Sequence, residues 1–240
     1  NLDSSYLALN KKQWLKKNNN NDIIFDESCQ YIGQIIDNVY ARSKFEAESY
    51  ILDAISRGLD GYILRMGHLM PRIRDGVFQE NILDNDLINK IISFIKIGAI
   101  PDYLLKYPLE FTPVDEAAYA ICKLIKHSTY SNRIFHLYNH NSVYVKRLLR
   151  ELKRFNYDIK VLPEDAFVKK VNSILNDENK KNMLKNVLVD FDSNLHLRYE
   201  NDINLKSSFT IKYLARCYFI WPKISDKYLF RLIKLLKEEI

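Results

Sequence analysis

Tyr40 and Lys44 stand four residues apart in Asn38-Val39-Tyr40-Ala41-Arg42-Ser43-Lys44-Phe45-Glu46-Ala47-Glu48. On a helix that spacing puts both side chains on one face, their Cβ atoms roughly 6 Å apart. A phenol next to an ammonium gives up its proton more easily, because the positive charge stabilises the phenolate. A tyrosine so placed can protonate a carbonyl oxygen while hydride arrives at the carbon. The chemistry suggested is carbonyl reduction.

Spacing alone is a weak signal. A chain with 16 Tyr and 24 Lys holds one or two Tyr-x-x-x-Lys pairs by chance, and this one holds two, the other being Tyr119/Lys123. Context separates them. The Tyr40 helix is followed by Arg57-Gly58-Leu59-Asp60-Gly61, a helix stop and turn. Tyr62-Ile63-Leu64-Arg65-Met66 then reads as a buried strand, with Gly67-His68-Leu69-Met70-Pro71 as the loop at its carboxyl end. Ligands of open α/β sheets sit at such carboxyl ends. Tyr119 lies among alanines and aliphatics in Asp115–Ile125, which suggests a packed helix and a structural tyrosine.

The elements that must carry these residues alternate up to about residue 140: helix 40–57, strand 61–66, helix near 84–97, strand near 109–112, helix 115–127 and strand 133–138. Residues 1–25 read as irregular or weakly helical. Ser142 is a plausible N-cap for an amphipathic helix over Val143–Phe155, followed by a strand at Asp158–Leu162. Pro163, at a helix N1 position, opens a mostly helical tail with segments near 163–175, 178–189, 207–219 and 225–240. The apolar spacing of Lys227–Leu236 predicts a helix lying on a core.

Tyr31-Ile32-Gly33-Gln34 and Tyr40–Glu48 together resemble the catalytic segment of the extended short-chain dehydrogenase/reductases. More narrowly, the chain is similar to the terminal thioester reductase domains of nonribosomal peptide synthetases. The likeness continues through Leu64–Met70, Asp75–Asn81, Pro108–Ala118 and Phe135–Asn139 to Ile220–Ser225. The resemblance implies an α/β fold: an incomplete Rossmann-like sheet over residues 1–140, then a mostly helical lobe over 141–240 facing the substrate and its carrier. It implies NADPH-dependent release of a carrier-bound peptidyl or acyl thioester as aldehyde or alcohol, by an enzyme working with a phosphopantetheinyl carrier protein and upstream synthetase modules. Tyr40 would protonate the oxygen, and Lys44 would assist it and hold the nicotinamide ribose. Gly67, His68 and Leu69 would line the nicotinamide, and Phe78 and Gln79 would lie beside the reacting carbon. Asp115, in Thr-Pro-Val-Asp, reads first as a helix cap.

The family also holds the substrate oxygen with a Ser or Thr upstream of the tyrosine. Ser4 and Ser5 fall in that region, and Ser5 is the candidate, against the alternative of a solvated serine in a stretch lacking an apolar strand. His68 replaces the asparagine usual in the family's R-x-G-N-L segment and still offers a ring N–H donor. The six glycines, at 33, 58, 61, 67, 76 and 98, do not form the G-x-x-G-x-x-G turn that receives a cofactor pyrophosphate. The first half of the nucleotide-binding sheet is therefore expected elsewhere, upstream or on another polypeptide, or else the activity is lost. NADPH binding by this chain alone is then expected to be very weak or absent. A fatty-acyl or carboxylic-acid reductase would use the same residues. A nucleotide-sugar epimerase would share Tyr and Lys but not the Trp221-Pro222 segment. A non-catalytic remnant or carrier-docking module is the reading from another class.

Composition supplies the remaining bounds. At 47% hydrophobic and 28% charged residues, 240 residues suffice for a folded core. No run approaches the ~18 apolar residues of a membrane span, and the start lacks a signal-peptide pattern. Cys29, Cys122 and Cys217 fit no metal spacing and suggest reduced thiols in a cytoplasmic protein, with no metal expected. Net charge is +6, but the lysines are dispersed among acids, which argues against nucleic acid. A mild basic bias suits an acidic carrier.

Overall fold

The structure is a computed structural model and describes residues 23–32, 36, 39–126, 134–177, 184 and 203–240. In chain order it begins with β1 (Ile23–Phe25), α1 (Val39–Ser56), β2 (Ile63–Met66), β3 (Leu69–Met70), α2 (Asp86–Ile97) and β4 (Ala99–Pro101). Next come β5 (Pro108–Leu109), β6 (Thr112–Pro113), α3 (Val114–Lys126), β7 (Ile134–Leu137), β8 (Val143–Tyr144) and α4 (Val145–Arg154). The last are β9 (Lys160–Leu162), α5 (Glu164–Leu175), β10 (Ile203–Leu205), α6 (Ser208–Arg216) and α7 (Asp226–Leu236). The class is α/β, with short, mostly parallel strands: β1 on β10, β2 on β7 and β4 on β9 are parallel, while β5 and β8 are antiparallel.

The chain forms two interleaved compact units. The first takes the described residues of Asn1–Leu69, Glu116–Asn139 and Tyr199–Trp221, and the second those of Met70–Asp115, His140–Arg198 and Pro222–Ile240. Asn139/His140 is thus one crossing among several.

In the first unit, Ala117, Ala120 and Leu124 of α3 pack with Phe135 and Leu137 of β7, Leu214 of α6, Phe219 and Trp221. The small alanines let the helix approach the strand closely. Helix α1 differs, because none of its residues is buried. Two helices of this unit end in the same motif. Leu59 N–H bonds the Ala54 carbonyl around left-handed Gly58, and Phe219 N–H bonds the Leu214 carbonyl around left-handed Tyr218.

The core of the second unit joins α2, α4 and α7 through Ile88, Ile91, Ile92, Leu148, Leu152, Leu229, Leu232 and Ile233. The helix stops are chemically explicit. The Asn85 side chain accepts from Ile88 N–H at 3.0 Å to start α2, and Gly98 at φ 66° ends it. Ser225 Oγ accepts from Tyr228 N–H at 3.1 Å to start α7.

Several sequence expectations need correction. Ser142 does not cap a helix over 143–155: Val143–Tyr144 pairs with Pro108–Leu109 as a strand, Val145 N–H bonds the Tyr107 carbonyl, and Tyr144 occupies the N-cap of α4. Pro163 is the N-cap of α5, not its first residue. The strand expected near 109–112 is two short strands, β5 and β6. Part of the supposedly irregular start, Ile23–Phe25, is a strand, because its partner Ile203–Leu205 lies far away in sequence. The expected helix 178–189 lies outside the described residues apart from Leu184.

Candidate active site

Helix α1 carries the proposed acid and its lysine as the spacing requires. Lys44 Nζ sits 5.4 Å from the centroid of the Tyr40 ring, and the tyrosine is 49% exposed. The second pair has the same local form: Lys123 Nζ is 5.1 Å from the Tyr119 centroid, and Tyr119 is 51% exposed. The buried face of α3 is its alanine face, while Tyr119 lies outward with its ring edge on Phe219 at 5.9 Å. Local geometry does not separate the pairs. Both helices lead into strands of one parallel pair, α1 into β2 and α3 into β7, and α1 is the one whose strand ends in the Gly67–Leu69 loop.

That loop begins where Gly67 N–H bonds the Leu137 carbonyl at 3.0 Å, continuing the β2–β7 register past Met66. Gly67, His68 and Leu69 are half-buried there. Ser5 lies outside the described residues. Tyr40, Lys44 and Gly67–Leu69 belong to the first unit, and Phe78 and Gln79 to the second.

In the second unit the loop ahead of Phe78 is held from several sides. Asp115 does not simply cap α3: its carboxylate accepts from Ile73 N–H at 2.9 Å and Arg74 N–H at 3.3 Å. Tyr228 O–H donates to the Pro71 carbonyl at 2.9 Å, and an Arg231 guanidinium N–H donates to the carbonyls of Ile73 and Arg74. Gly76 has φ 79°, and a Cβ there would stand 3.0 Å from Arg231 Cβ, so glycine suits both backbone and neighbour. Phe78 packs partly against the core, and Gln79 Nε2 donates to the Asn81 carbonyl at 2.7 Å.

Sequence reasoning missed a buried polar cluster under the first unit's strands. Arg65 of β2 is 4% exposed and meets the Glu48 carboxylate through Nε at 3.1 Å and a terminal nitrogen at 2.7 Å. Its other terminal nitrogen lies 2.9 Å from the Cys29 carbonyl and 3.0 Å from His136 Nε2. Arginine only donates, so Nε2 accepts, and the His136 proton is on Nδ1, which donates to the Lys206 carbonyl at 2.7 Å. Phe25 stacks on His136 at 5.7 Å and faces the guanidinium at 5.0 Å. Glu27 accepts from Thr210 N–H at 2.7 Å, capping α6 from another segment. The signal available was a charged residue, Arg65, inside an apolar strand.

Burial foremost, and also the Arg65 charge, push His136 down to about 4, against the Lys206 carbonyl that favours its protonated form. The unfolded chain protonates this histidine near ~6.5. The contribution of neutral His136 is therefore fully present above about pH 6.5 and is lost as pH falls through about 4, on the order of 3 kcal/mol in all. Urea unfolding at pH 7.0 and 4.5 should show this loss in the intact protein, and His136→Gln should reduce it. An unchanged acid dependence in the variant would remove His136 as its source.

The described residues form an α/β chain in which a Tyr/Lys helix leads into a strand and its carboxyl-end loop. Residues 3–121 match the family described as male sterility protein, an NAD-binding domain. Glycine betaine reductase of Emericella nidulans is 30% identical over 129 residues, 54% of this chain and 10% of that protein. The L-2-aminoadipate reductase large subunit of Candida glabrata is 26% identical over 147 residues, 60% of this chain and again 10% of that protein. Of the solved structures that cover 98% of the chain, two serve for comparison. One is a thiolation-reductase di-domain from an archaeal nonribosomal peptide synthetase (TM-score 0.83, 26% identity, 47% of that chain). The other is the reductase domain of the aureusimine biosynthetic cluster (TM-score 0.74, 25% identity, 57% of that chain). Residues 3–121, just under half of the chain, thus match a family of NAD-binding domains, and the chain as a whole shares the fold of the two solved reductase domains. It spans a tenth of the curated relatives and about half of the solved structures.

The residues present fit one end of a nicotinamide cofactor. A lysine beside a half-exposed tyrosine and a half-buried loop at a strand's carboxyl end suit the nicotinamide and its ribose. The sequence has no G-x-x-G-x-x-G pattern for the pyrophosphate.

Proposed function

We propose that this chain is the tyrosine-bearing part of a thioester reductase that releases a peptidyl or acyl group from a phosphopantetheinyl carrier protein as aldehyde or alcohol, using NADPH. The observation that carries the reading is the stacked Tyr40/Lys44 pair on a fold that matches a synthetase thiolation-reductase di-domain over 98% of its length. The cofactor would supply hydride to the carbonyl carbon. Tyr40 donates its phenolic proton to the oxygen that gains charge in that step. The Lys44 ammonium stands behind the ring and offsets the negative charge left on the phenolate. Lys44, Gly67, His68 and Leu69 would hold the nicotinamide ribose and ring. Upstream synthetase modules would deliver the substrate.

The same residues would serve a fatty-acyl or carboxylic-acid reductase, a related reading that the match to synthetase reductase domains does not favour. Substrate choice separates the two. A polypeptide joining this chain to a glycine-rich nucleotide-binding half should oxidise NADPH with acyl-pantetheine thioesters and not with free acids. Residues 1–240 alone should bind NADPH very weakly, because pyrophosphate capture needs that turn. Micromolar binding by the isolated chain in calorimetry would contradict this account of the nucleotide site, and oxidation driven only by free acids would overturn the thioester.

A further inference from the structure

Helix α1 is unusual in bearing a catalytic pair while burying none of its own side chains. Its half-buried stripe runs through Ala41, Phe45, Glu48, Leu52 and Ile55, at helical spacing. Within this chain, apolar packing therefore contributes little to fixing the helix. Directional contacts can do what the packing does not. The Gln30 Nε2 bond to Ser49 Oγ at 2.9 Å and the edge contact of Tyr31 with Phe45 at 6.0 Å are two such contacts, both near the surface.

The third is of another kind. Glu48 lies one turn beyond Lys44 and two beyond Tyr40, about 6 Å and 12 Å along the axis. Its carboxylate meets Arg65 across two nitrogens at 3.1 and 2.7 Å, with side-chain exposures of 18% and 4%. A two-point arginine–carboxylate contact fixes direction as well as distance. Arg65 is itself held at its far end by the Cys29 carbonyl and His136 Nε2, and its plane is covered by Phe25. These contacts hold it independently of the helix. Arg65 also stands two residues before Gly67, the start of the loop that faces the nicotinamide in the reading above.

We propose that Glu48 and Arg65 are positioning residues that set Tyr40 and Lys44 in register with the Gly67–Leu69 loop. This inference rests on the proposed reductase function. The pair touches neither substrate nor cofactor in that scheme. It acts by holding the helix at one depth and rotation relative to the strand, so that the tyrosine proton and the hydride-accepting carbon meet in one geometry. A misplacement of about 1 Å in such a geometry can cost about 10²-fold in rate.

The test uses the intact reductase, with its nucleotide-binding half, and the variants Glu48→Gln and Glu48→Asp. Glu48→Gln should lower kcat for an acyl-pantetheine thioester about 10²-fold while KM and NADPH affinity stay within about threefold. Hydrogen exchange of the α1 amides should rise about tenfold, with α3 and α6 unchanged. Glu48→Asp keeps the charge and shortens the reach. It should fall between wild type and Gln in both readouts, and it carries the test if Glu48→Gln does not fold. A folded Glu48 variant with wild-type kcat, or one whose losses lie in KM and NADPH affinity instead, would overturn the proposal. A wild-type protein without thioester-dependent turnover would overturn the functional reading instead. In that case α1 exchange decides the pair alone, and unchanged protection in Glu48→Gln would count against it.

Discussion

Tyr40→Phe should reduce thioester-dependent NADPH oxidation by about 10²–10⁴-fold, the usual worth of a positioned general acid, and leave folding unchanged. The substitution removes one oxygen from a ring that is half exposed, so no packing is lost. The Lys44 ammonium 5.4 Å from the ring centroid keeps a favourable contact with the phenylalanine face. Wild type and Tyr40→Phe should therefore have the same melting temperature. Only the proton donor differs. Single-turnover kinetics with an acyl-pantetheine thioester measures the effect, and near-wild-type turnover at saturating substrate would take Tyr40 out of the mechanism.

Lys44→Ala should give the second large loss, whereas Lys123→Ala should leave activity near wild type and stability within about 0.5–1 kcal/mol. The comparison is demanding because the two lysines look alike: each lies between 5 and 6 Å from the centroid of a half-exposed tyrosine. A cation over an exposed ring is worth only ~0.5–1 kcal/mol, so neither variant should unfold. If the ammonium of Lys44 offsets phenolate charge and holds the ribose, its removal acts on the reaction and on NADPH affinity together. Lys123, whose tyrosine leans on Phe219, has no such task. Steady-state assays of the two variants side by side provide the measurement. Equal losses would mean that the strand and loop following α1 do not mark the reacting pair.

The two comparisons depend on different kinds of information in the chain. The Tyr40/Lys44 face needed only residue spacing, because helix geometry is local and four residues always make one turn. The same holds for α2 and α7, whose apolar stripes and the caps Asn85 and Ser225 are written within a few residues of where they act. The family resemblance likewise lay in short blocks: Tyr40–Glu48, Leu64–Met70 and Pro108–Ala118. Where local signals competed with a distant partner, the partner won. Val143–Tyr144 entered a ladder with Pro108–Leu109 although Ser142 looked like a helix cap, since paired strand hydrogen bonds satisfied that backbone first.

Asp115 shows the limit from the side of the site. Its place in Thr-Pro-Val-Asp suggests a cap, yet its oxygens serve the amides of Ile73 and Arg74, about forty positions earlier. Helix α1, the β2 strand, the lack of a G-x-x-G-x-x-G pattern and the Tyr/Lys spacing were legible in the sequence alone. Tertiary structure decided that Ile23–Phe25 is a strand, that Glu48 closes on Arg65, and that His136 stays neutral beneath them. The reason is physical: a buried charge or an orphan strand must find a partner, and only the folded chain brings residues 48, 65, 136 and 203–205 within reach of theirs.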